Sequence, residues 1–423
     1  MQKYLQIFKI PDLRKKVLMV LFLLLVFRAL AAIPIPGIDA AKLTEFFSSN
    51  QLLGFLNLFS GGGLSSLSVM MLGVGPYITA TIIMQLLTIV FPSLKKAYYE
   101  EGNEGRAKFN RISRYVTVPL AMLQAYGFLN LLISQGVLSP LPFSELLSNV
   151  IVITAGSVLL MWIGELISEY KIGNGVSLII FAGIVSGLPQ QIGASILTYT
   201  PDKIATYLVF IILALIVIAG VVFINEGERK VPVSYAKQVR GNKMYGGVST
   251  YLPLRVNQAG VIPIIFAISL LLLPQFFAQA VAIFSKDFSL QVNAFVGQLF
   301  NNIILYSAIY FILVVVFTYF YTAITFDPAE ISKNLQKSGG FIPGIRPGAA
   351  TTQAITHIVN RITFFGALFL GIVAILPNLT QIVTGIQSLA IGGTALLIVV
   401  AVALEVMKQI ESQLTVREYE GIL

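Results

Sequence analysis

Residues 55–90 read FLNLFSGGGLSSLSVMMLGVGPYITATIIMQLLTIV. From Val74 onward the stretch is apolar and free of Asp, Glu, Lys and Arg, and at 74–91 it approaches the ~20 residues that cross a bilayer core. The piece before it, 55–72, is too apolar for a plain loop, yet too short and glycine-broken to span. Backbone runs non-helically at membrane depth only where protein or a water-filled cavity surrounds it. One reading is therefore a re-entrant segment lying in a cavity. The other is an interfacial helix resting on the outer surface, and both stay open.

Outward from this stretch, ten apolar runs are candidate spans: 17–33, 74–91, 112–134, 150–168, 175–190, 205–224, 258–274, 302–324, 361–376 and 384–405. The fifth and ninth are short, at about 24 Å each. The 423 residues are 56% hydrophobic and 11% charged, whereas a water-facing surface needs about a quarter to a third of its residues charged. A soluble reading is thereby excluded. The first run is too long for the apolar core of a cleaved signal peptide and leads into IPIPG without a small-residue cleavage site.

The Lys and Arg residues, 28 against 19 Asp and Glu, are placed unevenly. Residues 1–16, 95–114, 225–255, 325–361 and the tail carry nearly all of them, and the alternate loops hold only Lys42, Lys203 and Lys286. The positive-inside rule then puts both termini in the cytoplasm with an even number of crossings. The expected organisation is a cytoplasmic segment 1–16, an N-terminal half 17–190, a C-terminal half 205–405 and a cytoplasmic tail 406–423. The second and seventh spans, each the second of its half, open with GVGP and GVIP, a weak trace of a duplicated architecture.

Two loops on the positive side, 225–255 and 325–360, are longer than connectors need to be. In the first, Val231, Val233 and Tyr235 alternate ahead of an Arg240-Gly241-Asn242-Lys243 turn, which predicts a small hairpin bearing Arg229, Lys230, Lys237, Arg240 and Lys243. In the second, Arg346 sits between Gly and Pro in GGFIPGIRPG. Cations on stiff loops suit an acidic protein or RNA phosphate, while for most single lysines setting topology is the better account.

The strings GVGPYITATIIMQLLT, EGNEGRAKFNRISRY, IGNGVSLIIFAGIVSGLP, YAKQVRGNKMYGGVSTYLPLRVNQAGVIPIIFA, PGIRPG and GGTALLIVV together resemble the SecY family, the central channel-forming subunits of the Sec protein translocase. The match runs from the first span to the tail. The resemblance implies an all-α polytopic membrane protein of ten transmembrane helices in two pseudo-symmetric five-helix halves, with a re-entrant plug helix at about 55–69. It implies a mid-membrane ring at Val74, Ile78, Ile180, Ile184, Ile265 and Ile398. Val74 stands where the family commonly has Ile, which leaves the ring slightly wider. The plug residues would be Phe55, Leu58, Phe59, Gly61, Gly62, Gly63 and Leu64, the glycines making it easy to displace. A lateral gate would open between spans two and three on one side and seven and eight on the other, with polar positions at Gln85, Thr117 and Asn257. SecE and SecG would accompany the chain, and SecA or the ribosome, including its RNA, would dock on Arg229, Lys230, Lys237, Arg240, Lys243 and Arg346. Signal sequences, unfolded preproteins and membrane lipid complete the implied partners, in a bacterial cytoplasmic membrane.

An unfolded chain cannot enter lipid directly, because each unpaired backbone group costs several kcal/mol, so a water-filled path with an apolar constriction fits the task. The sequence has no G-x-x-x-x-G-K-[ST] phosphate loop, and energy must come from a motor, a translating ribosome or the membrane potential. The main alternative is a secondary transporter of a small solute, but transporters place ionisable residues at mid-membrane. Arg28 is the one clear charge inside a span and reads as a structural, snorkelling or loop-capping residue. An intramembrane enzyme would need a nucleophile and base or a metal. There is no cysteine, the single histidine is His357 in a loop near the ninth span, and no G-x-S-x-G occurs, so neither a metal site nor a cofactor is expected.

Overall fold

Helix follows hydropathy along this chain. The computed structural model describes residues 10–35, 57, 60, 62–64, 67–99, 102–134, 136, 138–197, 204–235, 238–240, 243–245, 249–281, 286–384 and 387–420. The first half contains α1 (Pro11–Ala31), α2 (Gly75–Val90), α3 (Pro92–Tyr99), α4 (Gly102–Ser134), α5 (Phe143–Glu169) and α6 (Gly175–Leu197). The second contains α7 (Ile204–Glu226), β1 (Glu228–Tyr235), β2 (Gln238–Arg240), β3 (Lys243–Tyr245), β4 (Ser249–Arg255), α8 (Ile262–Val281), α9 (Lys286–Asn301), α10 (Ile303–Thr325), α11 (Pro328–Lys337), β5 (Gly340–Phe341), α12 (Ala349–Thr384) and α13 (Gln387–Glu420). All ten apolar runs fall on helices, namely α1, α2, α4, α5, α6, α7, α8, α10, α12 and α13. Among the described residues, four helical stretches are by length and composition long and apolar enough to cross a membrane: Glu104–Ile133, Phe143–Glu169, Ile303–Lys337 and Ala349–Ile382.

Several helices outrun their apolar cores. The charged residues of 102–111 form the first turns of α4, part of the expected loop 325–360 is helical in α11 and the start of α12, and residues 406–420 continue α13. His357 is therefore exposed on α12 instead of in a loop. Charged and polar side chains carry these extensions because water, not lipid, faces them, which hydropathy alone does not register as helix. The amphipathic α9 also lies in what reads as a plain connector.

The helices pack as two sets. α2, α4, α5 and α6 contact one another in sequence, with α1 against α5 and α6, while α8, α10, α12, α13 and α7 form the second chain of contacts. The sets meet along two seams. On one, α8 packs against α2 and α4; on the other, α6 packs against α13. Leu13 of α1 and Leu414 of α13 bury each other, so the start of the first helix and the end of the last lie on one side. Gln413 ties this corner, accepting from Lys16 Nζ at 3.5 Å and donating its amide to the Lys171 carbonyl.

On that basic side the two long loops are one body. β1 pairs antiparallel with β4, Val231 opposite Leu252 and Val233 opposite Thr250, and its end pairs with β5, Ser234 opposite Phe341. Val231 and Val233 point inward, and Val231 and Leu254 pack with Ile342, Ile355 and Val359 in a core of their own. The expected hairpin is present, extended by β2 and β3 with Arg240 opposite Lys243. Asp327 caps α11 by accepting from the amides of Ala329 and Glu330.

Candidate functional site

Asn57 is helical, and from Ser60 to Val74 the described residues form a chain of turns. Ser60 Oγ donates to the Asn57 carbonyl and accepts from the Leu64 amide, and Ser68 Oγ donates to the Gly63 carbonyl and accepts from the Met70 amide. The Ile35 amide donates to Leu67 O and the Val69 amide to Ile33 O, so the segment is stitched to the end of α1. These bonds answer the cost of burying backbone groups away from water. Leu64, Leu67, Met70, Met71 and Ser68 are all buried. Leu64, Leu67 and Met71 pack in one cluster with Phe128, Leu129 and Leu132 of α4 and Ile153 of α5, while Met70 joins the cluster that holds Val74 and Ile78. At Gly156, midway along α5, a Cβ would stand 2.2 Å from the Val69 carbonyl oxygen. The segment thus runs at the depth of the middle of a membrane-length helix, and of the two open readings the re-entrant one holds. Phe55, Leu58, Phe59 and Gly61 lie outside the described residues.

The glycines here serve shape. Gly62 has φ +82°, and Gly63 leaves no room, since a Cβ would meet Met70 O and Ser68 Oγ at 2.9 Å. Arg28 lies against this turn, its Nη1 3.6 Å from where a Gly62 Cβ would be.

Because the chain dips first, α2 starts deep. Val74 is its N-cap and Ile78 sits in its first turn. Both are buried, with Ile180 and Ile184 from α6, Ile265 from α8 and Ile398 from α13, at 0–4% exposure. The six belong to one hydrophobic cluster contributed by both halves. Two cavities flank it. A cavity of about 500 Å³ on the basic side is walled by Asn110, Arg114, Glu165, Ser168, Glu169 and Asn174 and reaches Ile78 and Ile265. A second, of only about 30 Å³, is lined by Leu64, Met71 and Leu72 of the re-entrant segment together with Gly75, Thr79 and Ile78. Ile78 touches both. Polar walls hold water, whereas an aliphatic constriction can dewet and block ions yet gives a passing chain no polar group to stick to. An Arg114–Glu165 pair at 2.7 Å spans α4 and α5 on the wall of the larger cavity.

Gln85, Thr117 and Asn257 sit along the α2–α4–α8 seam but do not bond to one another. Gln85 lines the larger cavity, its Oε1 buried and without a partner. Thr117 donates within α4 to Ser113 O at 2.8 Å. Asn257 donates through Nδ2 to Asn225 Oδ1 at 2.7 Å and Gly260 O at 3.1 Å, leaving its own Oδ1 unpartnered. Asn225 and its neighbour Lys408 were not singled out from sequence, where one polar residue at the end of an apolar run looks ordinary.

Of the basic residues, Arg229 and Lys230 are exposed on β1, Lys230 pairing with Glu228 at 3.4 Å. Arg240 and Lys243 fall on β2 and β3, and Lys237 lies outside the described residues. Arg346 is exposed, its carbonyl accepting from Thr351 Oγ1 at 2.8 Å. Among the described residues, no three His, Cys, Asp or Glu side chains gather as a metal site would require.

Comparison with known proteins bears on the same residues. A family model described as SecY matches residues 68–407. The protein translocase subunit SecY of Mycobacterium tuberculosis is 44% identical over 432 residues, covering 97% of each chain. A solved structure described as showing that the plug domain of the SecY protein stabilises the closed state of the translocation channel and maintains a membrane seal superposes with TM-score 0.63 at 19% identity, covering 92% of this chain and 90% of that one. Sec61 in the canine ribosome–channel complex superposes with TM-score 0.60 at 20% identity, covering 93% and 90%.

Proposed function

The chain belongs to the SecY family and is a multi-pass, protein-conducting translocation channel, and from that premise we propose how its residues divide the work. Val74, Ile78, Ile180, Ile184, Ile265 and Ile398 form the constriction that seals the resting channel and grips a passing polypeptide loosely. The observation that carries this is Ile78, which packs with the other five in the large buried cluster shared by both halves and lines both cavities. The transporter alternative finds no support, and the chain is a channel subunit, not an enzyme.

The re-entrant segment, 55–69 with Gly62, Gly63 and Leu64 at its core, is the plug beyond the constriction. The seam of α8 and α10 against α2 and α4 is the lateral gate, through which an apolar stretch of ~20 residues partitions into lipid while polar stretches cross. Gln85, Thr117 and Asn257 tune it. The β-sheet body with Arg229, Lys230 and Arg346, extended by Lys237, Arg240 and Lys243, is the docking platform for the ribosome or the motor SecA, and SecE and SecG accompany the chain. The bacterial relatives support a bacterial cytoplasmic membrane location, and the charge distribution supports both termini in the cytoplasm. The two contact seams support a division into two rocking halves, 17–190 and 205–405.

Ion conductance tests the seal. The complete translocase carrying Ile78→Ser with Ile184→Ser, reconstituted in planar bilayers, is expected to conduct ions at rest where the parent does not. An ion-tight double variant would overturn the assignment.

A further inference from the structure

At the root of the basic-side hairpin a polar bridge ties three elements of the C-terminal half. Asn225 ends α7, Asn257 lies in the turn that opens α8, and Lys408 belongs to α13. Asn257 Nδ2 donates to Asn225 Oδ1 at 2.7 Å, and Lys408 Nζ donates to the Asn225 carbonyl at 2.8 Å while pairing with Glu226 at 3.1 Å. Asn257 is 7% exposed and Asn225 is half-buried, and the two line one cavity, so the bond is part-buried. Gly260 O can only accept, which fixes the Asn257 amide with its nitrogen toward Gly260 and Asn225. Both of its N–H groups are thereby spent inside the C-terminal half. What Asn257 still offers is an acceptor, and the unpartnered atom of Gln85 on α2 is an acceptor too. As the two amides are oriented, their unpartnered oxygens cannot bond each other, although the two residues line neighbouring cavities that share Ile262 and Tyr321.

We propose that Asn225 is a positioning residue of the lateral gate: by holding Asn257, it keeps the first turn of α8 with α7 and α13 and withholds the Asn257 amide from α2. Anchored by Lys408, it makes α8 follow the C-terminal half when the gate seam parts. Without it, the start of α8 stays with the N-terminal half and gains a donor for Gln85 Oε1. The proposal rests on the gate assignment above.

The chain has no cysteine, so a pair introduced as Thr79→Cys on α2 and Ser269→Cys on α8, which line one cavity across the seam, reports gate closure through a short bis-maleimide. In the complete translocase in proteoliposomes, loaded with a stalled signal-bearing chain, Asn225→Leu is expected to raise the crosslinked fraction about threefold, the equivalent of one average hydrogen bond in a membrane protein. Asn225→Asp, which keeps the acceptor and the Lys408 partner, is expected to match the parent. Equal crosslinking in Asn225→Leu and the parent would overturn the proposal, as would Asn225→Asp behaving like Asn225→Leu. If Asn225→Leu fails to accumulate, Lys408→Met is read by the same criterion. The gate assignment fails separately, if the crosslinked parent exports at the uncrosslinked rate.

Discussion

A single hydrogen atom at Gly156 sets the depth of the plug. Any Cβ there would collide with the Val69 carbonyl at 2.2 Å, against backbone that cannot swing aside. Gly156→Leu is expected to unseat the segment at a cost of about 1–3 kcal/mol or more, seen as a lowered Tm and new protease cleavage within 60–72. Gly62→Ala, at φ +82° but 3.6 Å from its nearest neighbour, should cost only the left-handed strain, about 1–2 kcal/mol, and leave the plug seated. Asn257→Leu removes both the Asn225 and Gly260 bonds. Export of substrates with defective signal sequences should change in that variant, and unchanged stringency would argue against a gate role. Sequence exposes some of these residues and hides others for a physical reason. Gly62, Gly63 and Arg346 stand in glycine- and proline-rich strings whose backbone needs are written in residue type. Asn225 and Gly156 matter only through what packs on them from elsewhere in the chain.

At the scale of elements, the two long basic-side loops, proposed as the docking platform, share a core. Arg346 leaves the chain more than a hundred residues after Arg229, yet β5 pairs with β1, and Ile342 and Ile355 bury Val231 and Leu254. Leu254 is fully buried, and Leu254→Ala should cost about 2–5 kcal/mol within this small body. The expected outcome is weaker binding of the motor through both loops together, measured by sedimentation with inverted membranes. Arg346→Glu should slow motor-driven export without affecting the accumulation of the chain, since its side chain is exposed. The alternation of Val231, Val233 and Tyr235 made β1 legible. β5 was not, because a two-residue strand, Gly340–Phe341, has no period to read. The amphipathic α9 was passed over because its polar face dilutes the apolar signal that marks a span.

At the scale of the whole molecule, the fold follows from where charge is tolerated. Ten apolar runs became helices, the Lys and Arg residues gathered on one side, and Leu13 meeting Leu414 brings both ends of the helical array to that side. The proposed constriction rests on the family resemblance, since in sequence aliphatic residues that would line a channel look like those that face lipid. Burial separates them: Ile78, Ile184 and Ile265 are 2–4% exposed, whereas Leu215 and Ile216 of α7 are 60% and 66% exposed. The most direct measurement uses the cysteine-free chain with single cysteines introduced by Ile78→Cys, Ile184→Cys or Ile216→Cys, and a secretory polypeptide stalled during translocation that carries one cysteine along its length. Disulfide formation is predicted at positions 78 and 184 and not at 216. Equal capture at 216, or none at 78 and 184, would contradict a path through the aliphatic constriction.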